Sequence, residues 1–220
     1  RMYNKAINKL ITSINKIYKK SNKDEITLGM ARKNGLSLAF KQFQKDLNGI
    51  SQKEASSLSK DMQKHYLDKY MDTTGATRRP LKKAKDKVKY PWSGMNYQQR
   101  INKNSAQLYQ QTTVGLEKLL RKGVNKSHLM VALLDLADKY NNRHSTLIRT
   151  ELWHMDLLGE LDGMKVNKVK YVQYVTAGDR RVCPECQSLE EYNDGIYLIE
   201  EAPTLPRHPR CRCHLIPYEQ

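Results

Sequence analysis

All four cysteines of this 220-residue chain lie between residues 183 and 213, in two short stretches. With a histidine before the second pair, their spacing is C-x2-C-x21-H-x2-C-x-C, formed by Cys183, Cys186, His208, Cys211 and Cys213. A C-x2-C turn directs two thiolates at one ion, and a later Cys/His pair can complete a tetrahedral zinc site. A shared metal would hold the two stretches together, so this cluster constrains the fold more than any other feature.

Five side chains are available for four ligand positions. We expect the C-x2-C pair and Cys211 to bind zinc structurally, with either His208 or Cys213 as the fourth ligand, and His214 is a weaker sixth candidate. Two alternatives remain open: disulfide bonds, which need an oxidising compartment, and reduced thiols in a small core. A catalytic zinc fits less well, because such sites usually keep an open position and mix histidines with carboxylates.

The positive charge is concentrated in the first part of the chain. Of the formal net charge of +16, residues 1–90 carry 22 Lys and Arg against 8 Asp and Glu, a net charge of +14. This imbalance is typical of a surface that binds nucleic acid, with a solvated lysine face as the alternative. Few aromatic residues lie between the lysines, so we expect phosphate contacts with duplex DNA, sensitive to salt and indifferent to sequence, and no base-stacking surface. The candidate DNA-binding residues are Lys16, Lys19, Lys20, Arg78, Arg79, Lys82, Lys83, Lys85, Lys87 and Lys89.

Residues 1–72 are predicted to form a basic helical region. Residues 3–20 place isoleucines and leucines at helical spacing opposite a row of lysines. Ser51 and Glu54 have the spacing of a capping box, which predicts that a new helix begins there. Residues 73–94 contain two Gly, two Pro and seven basic residues, which predicts a linker or an exposed basic loop at the domain boundary.

Residues 95–220 are predicted to form a second module. Three helices are expected over residues 96–160, the last ending near Gly159 and Gly163. The stretch VKYVQYVT then alternates β-branched and aromatic residues, which predicts a strand. With two further short strands it would occupy residues 168–218 around the Cys/His cluster. The predicted fold is therefore mainly α, with a small α+β module at the carboxyl end.

The sequence RTELWHMD lies on the last of these predicted helices. Arg149, Thr150 and Glu151 are adjacent, so they point to different sides of a helix and make a weak catalytic set. We expect them to pin the helix to the cysteine-bearing module through polar contacts. His154 is expected to be a packed or surface histidine and not a ligand.

The order of four segments along residues 91–217 resembles the phage Mu F-like minor head protein family. The segments are PWSGMNYQQRI, RTE, YVTAGDRRVCPECQSLE and PRHPRCRC. The most specific part is D-x-R-x-C-x-x-C followed by H-P-x-C-R-C, which adds Asp179 and Arg181 to the cluster. The resemblance implies a non-catalytic structural protein, present in few copies at or near the portal vertex of a tailed phage head. It would contribute to head morphogenesis and to packaging or ejection of DNA.

The resemblance also implies partners and a location. The partners would be the phage portal protein and capsid proteins, together with double-stranded DNA, and the location would be the virion, after assembly in the host cytoplasm. No run of eighteen apolar residues occurs, so we expect no membrane partner. Two other hypotheses remain open: a zinc-supported HNH-like nuclease, and a host zinc-ribbon protein that binds nucleic acid.

Overall fold

The computed structural model describes residues 2–219 and divides into two compact units. Within the described residues, the first unit comprises residues 2–56 and 97–145, and the second comprises residues 57–96 and 146–219. This division differs from the predicted succession of modules, because two long helices each contribute residues to both units. The predicted fold class, mainly α with a small strand-containing module at the carboxyl end, is confirmed.

Seven α-helices and five short strands occur within residues 2–219. The helices are α1 (Asn4–Ser21), α2 (Leu28–Lys33), α3 (Leu36–Thr74), α4 (Leu81–Lys89), α5 (Tyr97–Arg121), α6 (Lys126–Val166) and α7 (Pro184–Glu191). The strands are β1 (Glu25–Ile26), β2 (Val124–Asn125), β3 (Tyr171–Val175), β4 (Ile196–Leu198) and β5 (His214–Tyr218). Within this range no helix is both long and apolar enough to cross a membrane.

The first unit is built on apolar helix faces. Helix α1 buries Ile7, Leu10 and Ile14 in a core that also contains apolar side chains of α3, α5 and α6, as its periodicity predicts. Strand β1 pairs antiparallel with β2. The Tyr18 hydroxyl donates a hydrogen bond to the carbonyl oxygen of Val124 at 2.7 Å, which ties the end of α1 to this pair.

The predicted capping box is wrong, because α3 continues without a break through Ser51 and Glu54. The buried Ser51 Oγ lies 2.6 Å from Ser105 Oγ, and Glu54 Oε1 lies 2.9 Å from His144 Nε2. Both side chains are therefore occupied by partners on other helices of the first unit. Their spacing matches a capping box although neither caps a helix.

The predicted linker over residues 73–94 is also wrong, because most of it is ordered structure in the second unit. Helix α4 buries Ala84 and Val88, which lie one turn apart, and a short 3-10 turn buries Trp92. Burial of three apolar side chains helps to dock this segment, although its composition is dominated by cations.

A carboxylate distant in sequence adds to the docking of α4. The Nζ atoms of Lys83 and Lys87 lie 3.2 Å and 3.0 Å from Asp162 Oδ2. The same oxygen accepts a hydrogen bond from the Tyr66 hydroxyl at 2.6 Å. Burial raises the pKa of Asp162, but the hydrogen bonds from Tyr66 and Lys87 and the charge of Lys83 outweigh it, so the net shift is downward. Asp162 is thus held ionised in a buried position.

Two helices, α5 and the 41-residue α6, occupy the region where three were predicted. Gly159 and Gly163 lie inside α6 and do not end it. A Cβ at Gly159 would overlap the carbonyl oxygen of Tyr66, and one at Gly163 would lie 2.6 Å from Thr73 Cβ. These glycines allow α6 and α3 to approach closely within the second unit.

The carboxyl-terminal strands form a three-stranded antiparallel sheet in the order β4-β3-β5. Tyr171 is opposite Leu198 on one side and Tyr218 on the other. Val172 and Tyr174 point to the buried face. Strand β3 occurs where the alternation in VKYVQYVT predicts it, and two further short strands are present as expected. The sheet places the cysteine stretches beside its central strand.

Candidate metal centre

The first cysteine pair is arranged by the start of helix α7. Cys183 is the N-cap residue, and its Sγ accepts a hydrogen bond from the backbone N–H of Cys186 at 3.4 Å. Pro184 occupies the first helical position, where its fixed φ favours the turn and its missing N–H costs nothing. The two sulfur atoms therefore project from one helical turn toward the same point.

His208 meets both sulfur atoms of this pair. Its Nε2 lies 3.2 Å from Cys183 Sγ and 3.5 Å from Cys186 Sγ. Its Nδ1 lies 3.0 Å from the carbonyl oxygen of Pro209. A carbonyl can only accept, so this contact assigns the ring proton to Nδ1 and leaves the lone pair of Nε2 directed at the thiols, as in a metal-binding histidine.

The second cysteine pair completes the cluster from the buried side. Cys186 Sγ lies 3.9 Å from Cys211 Sγ, and the sulfur atoms of Cys186, Cys211 and Cys213 all lie within 4.8 Å of one another. None of the four cysteines is disulfide-bonded. With zinc–sulfur distances of about 2.3 Å, two ligands of a tetrahedral ion lie about 3.8 Å apart, so the separation of Cys186 and Cys211 suits a shared ion.

The cluster is organised as two overlapping groups of three. Cys183, Cys186 and His208 form the more exposed group, and Cys186, Cys211 and Cys213 form the buried one. Cys186 belongs to both. The structure therefore brings together all five predicted candidates, with a geometry compatible with a metal ion.

The thiols differ in how readily they ionise. The hydrogen bond from the Cys186 N–H is the largest cause that lowers the pKa of Cys183. Burial raises the pKa of Cys186 and of Cys213. A bound cation would supply the positive charge that these buried thiols need in order to ionise.

Tyr174 of strand β3 lies beneath the cluster. Burial, together with the neighbouring thiols of Cys186 and Cys213, raises the pKa of Tyr174, so the hydroxyl keeps its proton. Among the described residues this buried hydroxyl has no nitrogen or oxygen partner. A metal-bound thiolate is a good acceptor for such a donor. Tyr174, which is not itself a candidate ligand, therefore also suits a bound metal ion at this cluster.

Two exposed ion pairs join the cysteine stretches. Arg212 donates hydrogen bonds to both carboxylate oxygens of Asp179 at 2.7 Å and 2.8 Å, and the backbone N–H of Arg181 donates to Asp179 Oδ1 at 2.9 Å. The bonds from Arg212 are the main cause that lowers the pKa of Asp179 to about 2. Arg207 donates to Glu185 Oε1 at 2.7 Å and 2.9 Å. These pairs hold the D-x-R turn against the C-R-C stretch and the segment before His208 against α7.

Within the second unit, residues of helix α6 contact the chain segments that carry His208, Cys211 and Cys213. His154 Nδ1 lies 2.6 Å from the carbonyl oxygen of Leu205, just ahead of His208. Arg210 donates to Thr146 Oγ1 at 3.2 Å. The rings of Trp153 and His214 meet edge to face at 4.7 Å, so His214 packs against α6 and lies outside both metal-competent groups.

The RTE residues have separate environments. Glu151 is buried and accepts a hydrogen bond from Trp92 Nε1 at 2.9 Å. Thr150 donates to the carbonyl of Thr146 at 2.8 Å, within α6 itself. Arg149 is exposed. Glu151 thus contacts the segment after α4, and His154 and Thr146 of α6 contact the cysteine-bearing segment.

The candidate DNA-binding residues lie in both units. Lys16, Lys19 and Lys20 are exposed at the end of α1 in the first unit. The other seven lie in the second unit, where Lys83 and Lys87 share Asp162. Of the remaining five, Arg79 lies 3.8 Å from Asp68, a solvent-exposed pair worth at most about 1 kcal/mol.

Sequence reasoning missed the roles of Asp162, Glu185 and Tyr174. Asp162 and Glu185 act on residues 75 and 22 positions away, beyond any local pattern. Tyr174 carried a usable signal, because its alternation with Val172 placed it on the buried face of a strand leading to the first cysteine pair.

The chain was also compared with known proteins. Neither protein-family models, nor curated proteins, nor solved structures gave a match. The resemblance to the Mu F-like family therefore stays a prediction carried by the motifs.

Proposed function

We propose that this chain is a minor head protein of a tailed phage, docked at or near the portal vertex, where it contributes to head morphogenesis and to packaging or ejection of DNA. The observation that carries the proposal is the contact between the two motifs of the resemblance. Asp179 of the D-x-R-x-C-x-x-C segment binds Arg212 of the H-P-x-C-R-C segment, and His208 meets Cys183 and Cys186. Because the two motifs contact each other directly, they support a structural role for the module that they form together.

The centre of this module is a structural zinc ion. The proposed ligands are Cys183, Cys186 and His208, with Cys211 as the fourth. His208 Nε2 lies 3.2 Å and 3.5 Å from the sulfur atoms of Cys183 and Cys186, and Cys211 Sγ lies 3.9 Å from Cys186 Sγ, near the edge length of a zinc tetrahedron. Cys213 stays a buried thiol beside Tyr174. Four protein ligands leave no open position, which supports a role in folding and not in catalysis.

The basic residues supply the contact with DNA. Their charge favours phosphates, so affinity for duplex DNA is expected to fall steeply as salt rises, through release of counterions. The near-neutral remainder of the chain, with 17 Lys and Arg against 15 Asp and Glu over residues 91–220, is better suited to a protein partner such as the portal. The proposed protein thus joins a protein partner to DNA without catalysing a reaction.

Particle composition tests this role. Mass spectrometry of purified particles and of precursor heads is expected to detect the chain in few copies, and deletion of its gene is expected to leave heads that assemble but deliver DNA poorly. Absence from both kinds of particle would contradict the proposal and favour the zinc-ribbon hypothesis. Cleavage of plasmid DNA with magnesium or manganese, lost in His208→Ala, would favour the nuclease hypothesis.

A further inference from the structure

A groove of about 1010 Å³ lies within the second unit. One wall is the segment that runs from Arg78 through α4 to Trp92, and the other includes His154 and Leu158 of α6. Pockets for small ligands span about 300–1,000 Å³. The groove is therefore large enough for more than one small planar group.

The lining of the groove is strongly cationic. It contains the side chains of Arg78, Arg79, Lys82, Lys83 and Lys87 against the single carboxylate of Asp86. Two of the five cations are held by Asp162. The exposed side chains of Arg78, Arg79 and Lys82 thus dominate the charge of the groove, which suits an anionic ligand.

The same groove has an aromatic and apolar lining. Trp92 and His154 stack with ring centroids 4.4 Å apart. Beside them, Tyr90 is 67% exposed and Leu81 is 56% exposed. A large aromatic side chain that exposed, next to a stacked pair and several cations, offers a flat apolar face to a ligand that also carries negative charge.

We propose that this groove binds unpaired nucleotides of single-stranded DNA, with a base stacked on Tyr90 and the phosphates at Arg78, Arg79 and Lys82. A duplex keeps its bases stacked inside and offers only phosphates, so it gains nothing from the aromatic lining. An unpaired strand offers both groups, and stacking on an aromatic side chain is independent of base identity. The inference rests on the proposed contact with DNA and names the form of DNA that this surface takes.

The structure explains why the sequence did not indicate this surface. Aromatic residues are absent between the lysines of α4, but Tyr90 and Trp92 directly follow it, and His154 comes from α6. Docking of α4 through Asp162 brings all of them to one groove. The sequence does not indicate a base-stacking surface, and the proposed groove is a specific candidate for one.

Fluorescence anisotropy with the full chain tests the inference at low salt. The probes are a labelled oligothymidylate of about twelve nucleotides and a duplex of equal length. Tyr90→Ala is expected to weaken binding of oligothymidylate by roughly tenfold, from the loss of one stacked base, and to change duplex binding less than twofold. Tyr192→Ala is the matched control, since Tyr192 is also 67% exposed but does not line the groove, and it is expected to change neither.

A second pair of variants tests the charge. Arg78→Ala combined with Lys82→Ala is expected to weaken binding of both probes, whereas Lys170→Ala, an exposed lysine outside the groove, leaves them unchanged. Thermal unfolding of each variant checks that the fold is retained. Rescue of oligothymidylate binding by Tyr90→Phe would support stacking against a role for the hydroxyl.

The outcomes separate this inference from the proposed function. If neither probe binds, both the groove and the proposed DNA contact are wrong. If the duplex binds and Tyr90→Ala leaves oligothymidylate binding unchanged, the inference alone is wrong. If a glutamate-rich peptide displaces oligothymidylate at a lower concentration than unlabelled oligothymidylate does, the groove is a site for an acidic protein segment, which also overturns the inference.

Discussion

The core of the first unit and the core around the cysteine cluster are built by different means. The first consists of leucine, isoleucine, alanine and aromatic side chains from several helices, and it contains no cysteine. Around the cluster, three of the ten buried core residues among the described part of the chain are cysteines. Burial of apolar surface can stabilise the first core, at about 25 cal/mol per Å². The second has less apolar surface to bury and is expected to depend on a metal.

The largest expected effect is that of metal removal. Treatment with a chelator, or Cys186→Ser, should unfold the segment from β3 to β5 and leave α1 and α5 folded, because only the former is held by the cluster. Hydrogen exchange measured by mass spectrometry gives the result region by region. Equal loss of protection in α1 and in β3 would show that the two cores do not differ in this way.

A second large effect is expected where α6 approaches α3. Gly159→Ala should lower the free energy of unfolding by about 1–3 kcal/mol, because the new Cβ overlaps the carbonyl oxygen of Tyr66. Gly115→Ala is the matched control, since that helical glycine of α5 has nothing within 4 Å of an added Cβ. It should stabilise by about 0.5–1 kcal/mol. Urea denaturation measures both, and destabilisation by both variants would contradict the account of close approach.

A smaller effect is expected at the carboxylate that docks α4. Asp162→Asn should cost about 1–2 kcal/mol of unfolding free energy, reduced by the partial exposure of Lys83 and Lys87. Since the folded state lowers the pKa of Asp162, its contribution is complete above the unfolded value of about 3.9 and is lost as pH falls toward the folded value. The exposed Asp86→Asn is the control, and equal effects in the two variants would contradict the docking role.

The smallest effect is expected at the ion pair between Asp179 and Arg212. Both side chains are exposed, so Asp179→Asn should lower the melting temperature slightly at low salt and not measurably in concentrated salt. Any contribution of Asp179 is present above pH 4 and disappears as pH falls through its folded pKa of about 2. A large effect that persists in concentrated salt would show that the pair has a further role.

Local patterns predicted those elements whose partners are close in sequence or chemically distinctive. The periodicity of α1 and the alternation in β3 identified a helix and a strand, and the spacing of the cysteines identified a cluster that the structure brings together. The helix and the strand were predicted from residues within a few positions of one another. The cluster was predicted from cysteine, a residue type that has few other roles at this spacing.

The predictions that failed concern contacts between residues distant in sequence. The local pattern around Ser51 predicts a helix cap, but its side chain contacts Ser105. Gly159 predicts the end of a helix, but it lies where α6 packs closely against Tyr66. The lysines of α4 predict an exposed loop, because the carboxylate that binds them, Asp162, lies 75 residues beyond Lys87 and is invisible to a local pattern. A capping-box spacing, a glycine and a run of basic residues are each compatible with more than one local structure. Contacts with residues distant in sequence determine which of those structures forms.

The metal content of the purified chain tests the central claim most directly. Native mass spectrometry under reducing conditions should find one zinc ion per chain, retained in Cys213→Ser and lost in Cys186→Ser. A wild-type chain that folds with no zinc, or that carries disulfide bonds between these cysteines, would contradict the account.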